Sequence, residues 1–332
     1  MVTSSSELSK PLRTWSHLAS ARKRPTEYEI VSTKALWNTP NHSVPWKMAG
    51  ATPQIQWIIE NRNNSRLKHE EWDSFRDPDH LVYRTYTLMQ DGQEAYVDGV
   101  LNDYNENDHD AGLDPAWIAV LAQLYAPARY VFHAIQMASG YLVTLAPCST
   151  VANPMMLQCG DQLRWVNRIA YRTAELSRTH GRYGFGVKER ELWEKSPVWR
   201  GFVELAERAL VAWDWGECFT ATNLVLKPAL DEIFMRQLAQ YSRLNGDTLT
   251  ATLLDAQLVD SARSRKLSGA LVAFLLTQEG NREVFGKWLA HWVPLGEKAI
   301  AAFAKGFDTD GTASAAAIEG TRVFRAELGL SG

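Results

Sequence analysis

The chain has 332 residues and a formal net charge of −3, so it has no basic footprint for nucleic acid or an acidic membrane surface. Its 45% hydrophobic and 22% charged residues are those of an ordinary globular protein, long enough for one large domain or two smaller ones. Tryptophan is the outlier at 13 residues, most of them expected in the core and the rest at interfaces. The first residues carry no apolar leader, and the longest apolar run, Gly269 to Leu276, is too short to cross a bilayer, so a cytoplasmic protein is expected. Cys148, Cys159 and Cys218 lack Cys-x-x-Cys spacing and read as unpaired thiols.

Residues 1–76 form an irregular segment in which Pro11, Pro25, Pro40, Pro45 and Pro53 exclude long helices. Its interspersed apolar residues, Trp15, Tyr28, Ile30 and Trp37 among them, must be buried against the body of this chain or another subunit. An extended arm is therefore expected. The basic run Arg22-Lys23-Arg24 in it is either a solvated cluster or a dock for an acidic partner surface. From 77 to 332 the pattern is helical. Leu81 to Leu101 has helical spacing, and Asn102 to Asp110 is a polar break. Asp114-Pro115 opens a helix that Pro127 kinks or restarts. A run from Arg129 to Gly160, apolar almost all round, is expected in the centre of a bundle, with His133 a hydrogen-bonded core residue. A separate helix from Asp161 to about Arg178 should come next, and Gly181, Gly184 and Gly186 turn the chain. Further helices are expected over 187–195, from Ser196-Pro197 to Leu224 with a kink or break at Pro228, over 230–241, from Leu249 to Thr277 after a stop and fresh N-cap within Asn245-Gly-Asp-Thr-Leu249, over 279–307 and over 312–328. The fold class is all-α, with long antiparallel helices.

A carboxylate-bridged dimetal centre in such a bundle needs a Glu from each of two helices and Glu-x-x-His from two others. Gln162 and Trp165 stand at one pair of ligand positions, and Ser261 and Ser264 at the other. Arg129 to Gly160 contains no acid, and Asp214 or Glu217 could supply one carboxylate at most. No metal centre is expected in this chain, and the indole of Trp165 is expected to fill the space that metal and water would take. The literal Glu106-Asn-Asp-His109 falls in the polar break and reads as a solvated loop. No catalytic triad, phosphate loop or dinucleotide fingerprint is present, so no catalytic residue is assigned.

Several longer strings carry a resemblance: Lys10-Pro-Leu-Arg-Thr-Trp-Ser-His-Leu-Ala19, Arg24-Pro-Thr-Glu-Tyr-Glu-Ile-Val-Ser-Thr33, Phe75-Arg-Asp-Pro-Asp79, Leu81-Val-Tyr-Arg-Thr-Tyr86, Asp91-Gly-Gln-Glu94 and Ala212-Trp-Asp-Trp-Gly-Glu217. Together they resemble the hydroxylase β subunit of the soluble di-iron bacterial multicomponent monooxygenases, of the toluene and alkene or isoprene type. The resemblance implies a ferritin-like helical bundle with additional helices and an N-terminal arm lying on an α subunit. In that arm, Trp15, His17, Arg22, Arg24, Tyr28, Ile30 and Trp37 are the candidate interface residues. It implies an α2β2γ2 hydroxylase with the di-iron centre in α and no cofactor in this chain, served by a reductase, a Rieske-type ferredoxin and a small regulatory protein. The chain is thus expected to be a non-catalytic subunit of an NADH-dependent monooxygenase. An autonomous ferritin-like di-iron oxidase and an unrelated helical scaffold are the alternatives.

Overall fold

The computed structural model describes residues 25–36, 39–40 and 53–330, and helices dominate throughout. A short α1 (Glu27–Ser32) starts in a capping box in which Thr26 and Glu29 bond each other's backbone N–H groups. α2 (Pro53–Ile58) continues as one wide turn, Ile59–Asn63. α3 (Tyr83–Glu106) is succeeded by α4 (Pro115–Val120), whose first turn is capped by Asp114 at 2.7 Å from the Ala116 N–H. After Pro127 the chain restarts as α5 (Ala128–Leu145), which pairs along its length with α6 (Ser149–His180).

The break between these two helices lies at 146–148, whereas the sequence places it at Gly160-Asp161. Ala146 precedes Pro147 and is held extended, with ψ at 136°, because the proline ring disfavours a helical residue before it. Asp161, which reads as a helix start, lies inside α6 with its carboxylate committed to tertiary partners. Gly160 serves a close approach: a Cβ there would meet the Tyr86 hydroxyl at 3.0 Å. His133 is exposed, contrary to expectation, because α5 buries only the face carrying Val131, Phe132, Ile135, Ala138 and Leu142.

Beyond the turn at Gly184 and Gly186 come α7 (Glu189–Lys195) and α8 (Arg200–Leu210). The next break falls at 211–214, not at Pro228, and Asp214 caps the helix that begins at Trp215. A continuous rod then spans 215–244: α9 (Trp215–Phe219), a wide-turn stretch Thr220–Leu226, α10 (Lys227–Leu230), a second wide stretch Asp231–Gln237 and α11 (Leu238–Leu244). Pro228 lies between the two wide stretches, where the loosened hydrogen-bond ladder accommodates its missing N–H without ending the helix. α12 (Thr248–Leu275), capped by Asp247, α13 (Asn281–Ala304) and α14 (Thr312–Glu327) complete the chain.

Four elements, α5, α6, the 215–244 rod and α12, surround the centre of the molecule. α3 covers α6 and α12 on one side, while α8, α13 and α14 form a second layer over the rod. The described residues between 53 and 76 are strapped to this body. Ser65 Oγ donates to Asp214 at 2.6 Å, Lys68 and Asn281 exchange hydrogen bonds at 3.0 and 2.7 Å, and Leu67 is buried against Gly216. Backbones approach closely between α8 and α13, where a Cβ on Gly201 would lie 2.5 Å from the Ala299 Cα. Gly201→Ala is therefore expected to destabilise the chain by about 1–3 kcal/mol in denaturant unfolding, because forcing two helix backbones apart outweighs the gain in helix propensity.

Candidate functional site

The middle of the bundle is closed by amides and hydroxyls from all four central elements. Gln158 on α6 donates to Ser139 of α5 at 2.9 Å and to Asn223 of the rod at 3.3 Å. Asn223 donates back to the Gln158 oxygen at 2.9 Å and to Ser268 of α12 at 3.2 Å, and Ser264 adds a 2.7 Å bond to that same oxygen. Ser139 and Ser268 each pass their proton to the carbonyl four residues back. All five side chains are buried. An unpaired amide there would cost about 1–3 kcal/mol, which the reciprocal pairing avoids.

Adjacent to this closure an ammonium group is buried. Lys227 Nζ lies 3.1 and 3.2 Å from the two Asp231 oxygens and 3.0 Å from Ser261 Oγ, which in turn donates to Asp231 at 2.9 Å. Arg265 reaches Asp231 at 3.2 Å and Glu232 at 2.8 Å. Burial alone would raise the Asp231 pKa, but Lys227 and Arg265 hold it below the usual carboxylate range.

One turn further along α6 a charged cluster joins α3, α6 and α12. Asp161 accepts from Tyr86 at 2.8 Å and from Gln90 at 2.9 Å, and is bonded by Arg263. The same Gln90 amide donates to Asp260 at 2.9 Å; Asp260 also accepts from Trp165 Nε1 at 2.8 Å and is paired with Arg164 and Arg263. Burial and the facing Asp260 push the Asp161 carboxyl up to about 6, against the pull of Arg263.

The four degenerate ligand positions separate in this geometry. Ser264 belongs to the amide closure and Ser261 to the Lys227 pair. Trp165 is 2% exposed among Val97, Leu101, Leu249 and Leu253, beneath α3, so it does not fill the space beside Ser264 as expected; Gln158, two turns earlier on the same face, does. Gln162 is buried, and its Oε1 has no hydrogen-bond partner among the described residues. Asp214 caps α9 and holds Ser65, and Glu217 accepts from Trp292 at 3.3 Å, so neither supplies a carboxylate to the centre. His109, expected in a solvated loop, lies 3.3 Å from the buried Asp247 that caps α12. Gln158, Asn223, Lys227 and Asp231 were missed by the sequence reading, although Gln158 with Asp161 and Lys227 with Asp231 stand at helical spacing.

A di-iron centre does not fit these side chains. The centre of the bundle holds amides and hydroxyls that already satisfy one another, and Asp231 beside them is paired with an ammonium that would repel a metal cation. Among the described residues no group of three or more His, Cys, Asp and Glu side chains could hold a metal ion.

Of the arm residues, Trp15, His17, Arg22, Arg24 and Trp37 lie outside the described residues. Tyr28 is buried within this chain: its hydroxyl accepts the Asp77 N–H at 2.9 Å and its ring stacks on His80 at 4.6 Å. Ile30 is half-buried. α1 is held to α3 by Glu27 with Arg84, and Ala35 N–H donates to Ser149 at the start of α6.

Lys227→Met leaves a buried carboxylate short of its ammonium and is expected to cost about 3 kcal/mol in denaturant unfolding, whereas Lys227→Met with Asp231→Asn loses less. Asp161 ionises near 6 when folded and at about 3.9 when unfolded, so its proton uptake adds stability as pH falls through 6 and withdraws it as pH rises. The stability of the unaltered chain relative to Asp161→Asn should therefore be greater at about pH 5 than at about pH 7.5, as read from unfolding midpoints.

The family model of methane, phenol and alkene hydroxylases matches residues 57–279, more than half of the chain. The β subunit of the hydroxylase component of the toluene-4-monooxygenase system from Ectopseudomonas mendocina is 46% identical over 304 residues, covering 92% of this chain and 93% of that protein. The small subunit of the hydroxylase component of propane 2-monooxygenase from Rhodococcus jostii is 24% identical over 85% of this chain and 77% of its own length. A chain of toluene 4-monooxygenase, solved with toluene in the resting active site, superposes with a TM-score of 0.85 at 46% identity, covering 90% of this chain and 98% of that one. Phenol hydroxylase from Pseudomonas sp. OX1 shares the fold, with a TM-score of 0.80 at 20% identity over 99% of this chain and 95% of that one. With its ferritin-like bundle and these relatives, the chain belongs to the methane, phenol and alkene hydroxylase family.

Proposed function

We propose that this chain is the non-catalytic β-type subunit of a multicomponent monooxygenase hydroxylase. The observation that carries this reading is the amide closure at Gln158 and Asn223, which stands where a catalytic bundle needs converging carboxylates and imidazoles. The likeness to the toluene-4-monooxygenase β subunit supports it. In the assembly, α2β2γ2, the di-iron centre belongs to the α subunit. One atom of O2 enters an aromatic or alkene hydrocarbon and the other leaves as water, with electrons from NADH delivered through a reductase and a Rieske-type ferredoxin, and with a small regulatory protein also taking part. The complex works in the cytoplasm. This chain's contribution is a rigid surface on which the α subunit is held.

That surface has support in the exposed apolar groups of the described residues. Met156, Leu163 and Tyr171, each about half exposed, recur at seven- and eight-residue spacing along one outward stripe of α6, and Leu88 and Tyr96 stand exposed on α3. Residues 1–24, with Trp15, His17, Arg22 and Arg24, form the part of the arm that reaches the partner. Tyr28 and the rest of α1 anchor the arm to its own body.

Expressed alone, the chain is expected to fold and to carry no stoichiometric iron; co-expressed with a partner bearing two Glu-x-x-His motifs, it should co-purify with iron held by the partner. Stoichiometric iron in the isolated chain would sink this reading. Deleting residues 1–24 is expected to weaken assembly while leaving the unfolding midpoint of the isolated chain close to unchanged; removing residues 1–36 should lower that midpoint as well, since α1 packs on α3 and α6.

A further inference from the structure

α13 and the end of α14 enclose between them a cavity of about 400 Å3, within the range that small-molecule sites occupy. Leu289, Val293, Pro294 and Leu330 give it apolar walls, and two arginines line it. The arginines differ. Arg282 is exposed and donates from Nη1 to the Gly329 carbonyl, holding the chain where it leaves α14. Arg325 is only 7% exposed, and yet its guanidinium donates to no acceptor and joins no ion pair among the described residues. Glu297 attracts it from beyond ion-pair distance, and burial pushes its pKa below the ordinary value; the guanidinium stays cationic. The guanidinium thus faces the cavity without a protein acceptor, and its planar fork matches a carboxylate.

We propose that this cavity binds a small organic carboxylate, with its apolar body against Leu289, Val293, Pro294 and Leu330 and its two oxygens on Arg325. The concave shape and the single buried cationic focus suit a small molecule; a protein surface laid across the opening would leave the guanidinium unmet beneath it.

Octanoate serves as the probe, titrated calorimetrically into the purified full chain in the assembly with which it purifies. Saturable binding of one octanoate per chain is expected, with octan-1-ol and acetate each at least about tenfold weaker, because one lacks the charge and the other the apolar body. Arg325→Gln should weaken octanoate by about tenfold or more. Gly286→Phe provides a second variant: a Cβ at Gly286 meets no atom within 4 Å, so the side chain starts in open space at the cavity wall, and a ring placed in the cavity would abolish binding. Absence of saturable octanoate binding, or binding left unchanged by Gly286→Phe, overturns the site. Octan-1-ol binding as tightly as octanoate overturns the assignment of a carboxylate.

Discussion

Two facing amides, Gln158 and Asn223, set the terms for the middle of this protein. Each donates to the other, so neither can be replaced without leaving its buried partner's oxygen or NH2 short of a hydrogen bond. The neighbours are chosen by that constraint. Ser139, Ser264 and Ser268 are small enough to let α5, the rod and α12 approach, and each has a hydroxyl that can both give and receive a hydrogen bond. Around these two amides the polar groups are thus matched to one another.

Charge enters this interior in two distinct ways. Around Lys227 the buried ammonium, Asp231 and Ser261 form a compact set in which Arg265 supplies a second cation and Glu232 a second anion. Around Asp161 and Asp260 two carboxylates share one amide, Gln90, and are bridged by the Arg263 guanidinium. The first set ties the rod to α12. The second fixes how α3 lies across α6 and α12, since a slide by one turn would separate Gln90 from both acids. Ion sets of this kind contribute more to register than to net stability, because desolvation offsets much of their attraction.

Much of this architecture was legible in the sequence. Asp114-Pro115 and Asp247 announce helix starts that the structure contains, because a capping carboxylate acts on backbone within three residues of itself. Readings that depended on distant partners went astray. Asp161 after Gly160 has the composition of a helix start, but Tyr86 and Gln90, some seventy residues earlier, claim its carboxylate. Pro228 reads as a break, yet the wide stretches on either side carry the rod through it. The degenerate site shows the same limit. Gln158, Gln162 and Trp165 share one face of α6, so periodicity identifies the face; which of its turns lies at the centre is decided by the serines of α12 and by Asn223. Tyr28 has the character of an interface residue, and its burial depends on His80 and Asp77, which composition does not reveal.

The closed amide centre also bears on the order in which such an assembly can be made. A bundle whose interior needs metal ligation gains part of its folding energy only when the ion arrives. Here the amide centre is closed by the chain's own side chains, so under the proposed function its folding would not wait on iron supply. Under the proposed function, a cell short of iron would still produce this subunit in its final shape, ready as a scaffold on which a metal-dependent partner matures later.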